Sequence, residues 1–336
     1  MSVRSMRPRR LARAGAGIVA FLFVLLAPCT RPLTAQGADS GWFITLDAAL
    51  TQPNVDQEYA VQTDTTGFPV RNTRHTFDSD IDTSFRAGFG YGFGAGRGTL
   101  RVTYWEFDNT DGESKNLKGM IEPLVFGEGY YSPFYYLSSA SGVSTEFTSD
   151  IDAITIDVDY LRSMTAGRRM RVNWLLGFRV ASYDETQTFT GSDAFYVLKQ
   201  EKELESDAFG VRVGAEAQFN LGRYFMLTGG LTASILQADT NGAAVQQFFD
   251  TAGGLVVAET NEANDDNLRA QILDIDVRAV WKLRYFDVFL GYQGSTWDGL
   301  VEDPLPSANG TERDTVSFNS IHAGITWRFS PRKAVP

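Results

Sequence analysis

The sequence has little cysteine and histidine, and beyond its N-terminal segment it has no long apolar run. Cys29 is the only cysteine among 336 residues, and the two histidines are His75 and His322. With one cysteine, a disulfide within the chain is excluded. Because a membrane-spanning helix needs about 20 consecutive apolar residues, the rest of the chain also excludes a helical membrane protein.

The N-terminus has the pattern of a secretory signal peptide. Arginines between Arg4 and Arg13 precede the apolar run Ala14–Ala27, and small residues near Ala35 offer a cleavage site. The run is too short to span a bilayer, so we predict a cleavable signal peptide over residues 1–36, with an uncleaved signal anchor as the alternative. Cys29 leaves with the signal peptide, and the proline before it departs from the lipoprotein pattern.

The mature chain is strongly acidic. Residues 1–36 contain six arginines and no acid, so their removal lowers the formal charge from -11 to -17. Such a charge argues against nucleic acid as a partner. We predict no catalytic residue, no cofactor and no metal site from the remaining residues.

Ten stretches of the mature chain alternate between apolar and polar residues, as strands do when one face meets lipid. In the last of them, Asn319–Phe329, Ile321, Trp327 and Phe329 share one face, whereas His322 and Arg328 share the other. The predicted strands lie at about 41–50, 82–94, 99–107, 152–162, 170–182, 208–219, 224–236, 271–282, 285–293 and 318–329.

Three features favour a membrane barrel over a soluble β-sandwich. No charged residue falls in the middle of the apolar face, and aromatic residues gather at one rim, as in an interfacial girdle. The connections at that rim are short, whereas those at the opposite end are long. We therefore predict an all-β fold with one antiparallel transmembrane β-barrel over residues 41–329, short periplasmic turns, long extracellular loops and a periplasmic tail at 330–336. Ten strands are expected. Within one long loop, residues 246–249 and 255–258 could form a hairpin that extends the neighbouring strands above the membrane, and the count becomes twelve if a loop pair instead re-enters the sheet.

The inner face carries arginines and acids in equal number, which predicts a cross-strand charge network in the lumen. The residues predicted to line a pore are Arg86, Arg101, Asp157, Asp159, Arg171, Arg179, Arg212, Glu216, Asp274, Asp276, Arg278, Asp287, His322 and Arg328. The residues His322, Gly324, Trp327 and Phe329 form a polar-x-Gly-x-x-aromatic-x-aromatic pattern. That pattern predicts recognition of the last strand by the barrel assembly machinery.

The strand sequences resemble one known family. Trp174–Tyr183, the glycine- and arginine-containing stretch Phe209–Glu216, and residues 270–292 are similar to the Legionella-type major outer-membrane proteins. The resemblance covers about residues 82–329 and implies a pore-forming barrel in the bacterial outer membrane. It carries over no defined site.

Three functions follow from these patterns. The first is a narrow pore for small hydrophilic solutes or ions, since many inward positions are small. The second is a non-conducting structural or surface-interaction barrel that acts through its long loops, among them the aromatic loop 125–137. The third is an omptin-like hydrolase built around His75, which Asp184 or Asp239 could approach. It ranks well below both. The expected partners are outer-membrane lipid and lipopolysaccharide, the assembly machinery and small solutes.

Overall fold

The computed structural model describes residues 40–329, with gaps at 56, 65–70, 78, 95–96, 124–136, 167–168 and 301–314. The described residues form strands and short turns. No helix among them has the length and apolar character needed to span a membrane. The strands are β1 (Gly41–Asn54), β2 (Gln57–Asp64), β3 (Arg71–Phe77), β4 (Asp82–Gly92), β5 (Thr99–Pro123), β6 (Leu137–Ala166), β7 (Met170–Ser192), β8 (Tyr196–Asn220), β9 (Phe225–Asp250), β10 (Leu255–Lys282), β11 (Phe286–Asp298) and β12 (Thr315–Arg328).

Ten of these strands close into one antiparallel barrel. Around the ring the order is β1, β4, β5, β6, β7, β8, β9, β10, β11 and β12, and β12 pairs with β1 to complete it. The hairpin β2–β3 lies outside the ring, where β2 pairs with the far end of β5. The prediction of ten strands is confirmed, and the twelve-strand alternative is wrong because the extra hairpin extends the wall rather than entering the ring.

The outer surface of the barrel carries the predicted lipid-facing band. Alternate residues on each strand are apolar and exposed, for example Leu46 on β1, Phe89 on β4 and Leu273 on β10. Aromatic side chains lie together at the rim where the termini meet. Phe225 stacks on Trp281 at 5.4 Å, and the Phe329 amide donates to the Trp42 carbonyl at 3.1 Å. This rim is the periplasmic girdle, since the short turns lie there.

The strands continue well past the band on the extracellular side. β5 to β10 each have between 23 and 30 residues, whereas a membrane span needs only about 9–11. The predicted loops 183–207 and 237–270 are therefore wrong as loops: they are paired strands joined by tight turns near Asp193 and Asp250. The pairing of 246–249 with 255–258, considered from the sequence as a hairpin, is confirmed as the top of β9 and β10. We refer to this extension of β5–β10 as the extracellular wall.

Candidate functional site

A buried charge network crosses the lumen at the level of the membrane. Arg179 on β7 holds Asp157 on β6 with two hydrogen bonds of 2.6 and 2.8 Å, and it reaches Asp274 on β10 at 2.8 Å. Arg212 on β8 pairs with Asp159 at 2.6 Å and with Asp157 at 3.0 Å. The five side chains expose at most 9% of their surface. Charges this deeply buried are tolerated only because each has an opposite partner.

Glycines on neighbouring strands make room for these long side chains. A Cβ atom at Gly177 would lie 2.5 Å from the Asp159 Oδ1 atom, and one at Gly214 would lie 2.6 Å from the Thr232 side chain. On β7, Gly177 is therefore the inward neighbour of Arg179, and on β8, Gly210 and Gly214 flank Arg212. The small residues expected from the sequence to leave space for water instead accommodate the packed charge network.

A second group of charges surrounds His322 on β12. Its Nδ1 atom lies 3.5 Å from Asp47, its Nε2 atom lies 3.5 Å from Asp276, and the ring is 1% exposed. Arg278 forms a two-bond contact with Asp276 at 2.7 and 2.8 Å, and Arg86 lies 3.8 Å from both carboxylates. A neutral imidazole donates through one nitrogen only, whereas an imidazolium could donate to both carboxylates.

The periplasmic end of the lumen is more open. Arg101 pairs with Glu216 at 2.8 Å, and both side chains are about one quarter exposed. Arg328 pairs with Asp287 at 2.9 Å at the rim, with its own side chain 27% exposed. Water therefore reaches the lower lumen from the periplasm.

The structure brings thirteen of the fourteen predicted lining residues into these paired groups. They are Arg86, Arg101, Asp157, Asp159, Arg179, Arg212, Glu216, Asp274, Asp276, Arg278, Asp287, His322 and Arg328. Arg171 has the same inward parity on β7 but lies at the periplasmic end, opposite Gln218. The predicted cross-strand network is thus present as a set of ion pairs.

Sequence reasoning missed an aromatic layer directly above the network. Trp105, Phe107, Tyr183, Trp297 and Phe318 point inward and expose 8% of their surface or less. The Phe318 ring lies 5.2 Å from Trp297, 5.4 Å from Trp105 and 5.5 Å from Phe107. We call these five residues the aromatic layer. The signal that could have found it is parity, which places Trp105 on the same face of β5 as Arg101.

The aromatic layer is tied to the charge network by hydrogen bonds. The Trp297 indole donates to Ser295 at 2.8 Å, and the Ser295 hydroxyl donates to Asp274 at 2.6 Å. Thr232 also donates to Asp274 at 2.9 Å. The two layers therefore hold each other in place across β9, β10 and β11.

Further apolar packing fills the interior of the extracellular wall. Buried side chains there come from β2 and from β5 to β9, and a buried amide pair, Gln200 with Gln246 at 2.8 Å, lies among them. The apolar members are Ala60, Leu117, Ile121, Leu137, Val143, Phe147, Phe189, Leu198 and Phe248. Above the charge network the inside of the sheet therefore resembles a protein core.

Carboxylates stand opposite one another on the outer face, just above the lipid-facing band. Asp152 on β6 faces Asp184 on β7, which faces Glu205 on β8. Partial burial, and then the charges of Glu205, Asp207 and Asp152, raise the pKa of Asp184 to about 7. Like charges placed directly across a sheet destabilise it, so this row is a point of stored repulsion.

The two histidines lie in different surroundings. His75, on β3, donates a hydrogen bond from its Nε2 atom to the Gln62 Oε1 atom at 3.0 Å. Burial and then the charge of Lys115 lower its pKa, whereas Glu113 raises it. The charges that act on the pKa of His75 are those of Lys115 and Glu113, whereas those that act on the pKa of Asp184 are carboxylates, so the expected approach of Asp184 to His75 gains no support. His322 lies inside the barrel.

The closing strand presents its predicted residues on the expected faces. Trp327 and Phe329 are 55% and 60% exposed at the periplasmic girdle, whereas His322 and Gly324 point inward. A Cβ atom at Gly324 would lie 2.5 Å from the Asp47 side chain, so only glycine fits there. Recognition of this segment by the assembly machinery stays a prediction. The aromatic loop at 125–136 lies outside the described residues.

Comparisons with known proteins place the chain among outer-membrane proteins. The family model described as Legionella pneumophila major outer membrane protein precursor matches residues 34–320. No curated protein sequence matches the chain. Similar solved structures include the outer membrane protease OmpT from Escherichia coli, at 9% identity and a TM-score of 0.48, covering 89% of this chain and 100% of that one. The Pseudomonas putida toluene transporter TodX follows at 5% identity and a TM-score of 0.29, covering 87% and 90%. These two likenesses are too weak to carry an argument about function.

Proposed function

This chain belongs to the Legionella major outer membrane protein family. The resemblance to that family implied a pore, but on the packing of the lumen we propose that the protein is an outer-membrane barrel that is closed to solutes and acts through its extracellular wall. The protein resides in the bacterial outer membrane. The family is described as a precursor, which agrees with a cleavable signal peptide. The proposal takes up the second of the functions considered from the sequence. The observation that carries it is the aromatic layer above the charge network.

Two successive barriers support a closed lumen. The network side chains Arg179, Arg212 and Asp274 are at least nine-tenths buried, so little water separates them. Above them the rings of the aromatic layer pack against one another, and an ion passing between them would lose its hydration. Ten strands also lie near the eight-stranded size at which side chains fill a barrel.

The narrow pore expected from the sequence is the second candidate. It is favoured by the wet periplasmic half of the lumen, where Arg101, Glu216, Arg278 and Arg328 are each about one quarter exposed. Conduction would require the aromatic layer to move aside while the charge pairs remain. We further propose that the protein is not a hydrolase, because His322 is buried in the lumen between Asp47 and Asp276, and the charges that act on His75 are those of Lys115 and Glu113.

Single-channel recording separates the two candidates. We expect no discrete events from the refolded wild-type protein in a planar bilayer at high salt. Exchange of Trp297→Ala together with Phe318→Ala removes the centre of the aromatic layer. It also removes the indole that donates to Ser295, the hydrogen-bond partner of Asp274, and so loosens the charge network below. We expect frequent openings from this variant. The matched control, Phe195→Ala with Tyr196→Ala, removes exposed rings at the tip of the wall and should stay silent.

Before recording, each variant is checked for folding by its heat-dependent shift in gel mobility. Regular openings of the wild-type protein, with a conductance unchanged by the Trp297 and Phe318 exchange, would establish the pore instead. Silence of both proteins would leave the closed barrel in place and assign the barrier to the charge network.

A further inference from the structure

The periplasmic rim is basic in a protein that is otherwise acidic. Among its described residues the rim carries one acid, Asp287, which already pairs with Arg328. The basic residues of the described turns and strand ends at this rim are Arg97, Arg162, Arg169, Arg171, Arg223, Lys282, Arg284 and Arg328. Positive charge is thus concentrated at one end of the barrel.

Two neighbouring turns of this rim share the sequence Arg-Tyr-Phe. Arg223-Tyr224-Phe225 joins β8 to β9, and Arg284-Tyr285-Phe286 joins β10 to β11. In each turn the guanidinium lies over the ring of the next residue, at 5.5 Å from Tyr224 and 5.2 Å from Tyr285. This repetition in two turns of different length indicates a shared role.

Backbone hydrogen bonds fix both turns in the same way. The Tyr224 carbonyl accepts from the Lys282 amide at 2.7 Å, and the Tyr285 carbonyl accepts from the Arg328 amide at 2.8 Å. Each turn is therefore tied to the end of the strand beyond it along the rim. The two arginine-tyrosine pairs are held in place before any ligand binds, which lowers the entropy cost of binding.

Both pairs are exposed at the rim, beside the aromatic girdle. Arg223 and Arg284 are exposed, and Tyr224 and Tyr285 are 51% and 43% exposed. Within the part of the chain that the structure describes, no carboxylate pairs with either guanidinium. The adjoining rings of Trp281 and Phe225 belong to the girdle, so the arginines lie at the level of lipid headgroups.

We propose that the two Arg-Tyr turns bind the phosphate groups of anionic phospholipids in the periplasmic leaflet. A guanidinium presents a planar pair of N–H donors that matches phosphate oxygens, and an exposed cation beside the membrane attracts anionic headgroups. The tyrosine ring supports the guanidinium face and keeps its own apolar body against acyl chains. The acidic outer surface above the band offers no such site, so the preference belongs to one leaflet.

Tryptophan quenching by brominated lipids tests this proposal. In a background carrying Trp42→Phe and Trp174→Phe, the lipid-facing tryptophans are Trp281 and Trp327, because Trp105 and Trp297 lie inside the barrel. The protein is reconstituted in vesicles that mix phosphatidylcholine with brominated phosphatidylglycerol, or phosphatidylglycerol with brominated phosphatidylcholine. We expect the brominated anionic lipid to quench preferentially. Each arginine should raise the association of phosphatidylglycerol relative to phosphatidylcholine about fivefold. Added salt should weaken it.

Variants of the two arginines identify the site. Arg223→Gln with Arg284→Gln should bring the relative association close to one, whereas Arg223→Lys with Arg284→Lys should keep most of it. Lys199→Gln with Arg269→Gln removes two exposed positive charges from the extracellular wall and should leave the preference unchanged. Heat-dependent gel mobility verifies that each variant is folded.

Two results would overturn the proposal. Equal quenching by both lipids in the wild-type background would show that the rim does not select anionic headgroups. An unchanged preference after the double Gln exchange would place the selection elsewhere. Cosedimentation with purified peptidoglycan sacculi is measured in parallel, and a dependence on Arg223 and Arg284 there, without lipid selection, would assign the turns to the cell wall instead.

Discussion

Asp274 is the residue on which the interior of the barrel depends most. Its carboxylate accepts hydrogen bonds from Ser295 and Thr232 and pairs with Arg179 and Arg212. Four donors from four different strands meet at this one group. Removing it leaves Arg179 and Arg212, on the neighbouring strands β7 and β8, with only Asp157 and Asp159 as carboxylate partners among the described residues, so the desolvation of the two guanidinium groups is less fully compensated.

We therefore expect Asp274→Ala to lower the free energy of unfolding by about 3–5 kcal/mol, the range for breaking a buried ion pair. Urea unfolding in detergent micelles, followed by tryptophan emission, measures the change. Asp298→Ala is the matched control, because Asp298 lies at the exposed end of β11 and accepts only a 3.3 Å contact from Thr315. A loss of similar size in both variants would contradict the assignment of this role to Asp274.

Asp184, on the outer face of the sheet, should make the stability of the folded protein depend on pH. Its pKa in the folded protein is raised to about 7, mainly by partial burial and then by neighbouring carboxylates. Between about pH 4 and pH 7 the folded chain therefore holds a proton that the unfolded chain has released. Its contribution to stability is present at low pH and is lost as the pH rises through 7.

Exchange of Asp184→Asn should remove this dependence and make the protein more stable than wild type at pH 8 but not at pH 4. Urea midpoints measured across that range test it. Glu203→Gln serves as the control, because the residues that face Glu203 on the neighbouring strands are uncharged. They are Thr186 on β7 and Ala243 on β9. Parallel wild-type and Asp184→Asn profiles would show that the carboxylate row does not couple to folding.

At the level of the strands, the membrane spans could be predicted from the sequence and the wall above them could not. The spans have a lipid-facing side, so apolar and polar residues alternate clearly, as Ile321 and His322 do on β12. Above the band the outer face of the sheet becomes polar and the inner face becomes apolar. Residues such as Glu203 and Thr186 face water while Leu204 and Phe189 pack inward. Polar outward positions there resemble a loop in composition, and the period of two is carried by the inward residues alone.

The candidate site was predictable in its members but not in its packing. Parity alone assigns Asp157, Arg179 and Arg212 to the lumen. It does not say that Arg179 bridges two acids from β6 and β10, because β7 and β10 are three strands apart in the ring. That contact depends on the barrel diameter and on glycines such as Gly177, whose lack of a side chain leaves the space.

At the scale of the whole molecule, the basic rim and the long acidic wall lie at opposite ends of the barrel and indicate its orientation in the outer membrane. Cationic turns lie where the termini meet, and at the other end β9 and β10 turn at Asp250–Gly254, with Gly253 at a φ of 84°. At about 3.3 Å per residue, the 26 residues of β9 cover roughly 85 Å along the strand. The lipid-facing band is only about 25 Å tall. A large part of the molecule therefore stands outside the membrane.

Cysteine labelling on intact cells tests this arrangement, because the mature chain has no cysteine once Cys29 is removed. Ala252→Cys, at the tip of the wall, should react with a membrane-impermeant maleimide and also with a bulky polyethylene-glycol maleimide, since the tip rises clear of the surface. Gly222→Cys, in the periplasmic turn where a side chain meets nothing within 4 Å, should react only after the cells are lysed. Labelling of Gly222→Cys on intact cells would reverse the direction of the barrel. Protection of Ala252→Cys from the bulky reagent alone would mean that the wall lies within the surface carbohydrate rather than above it.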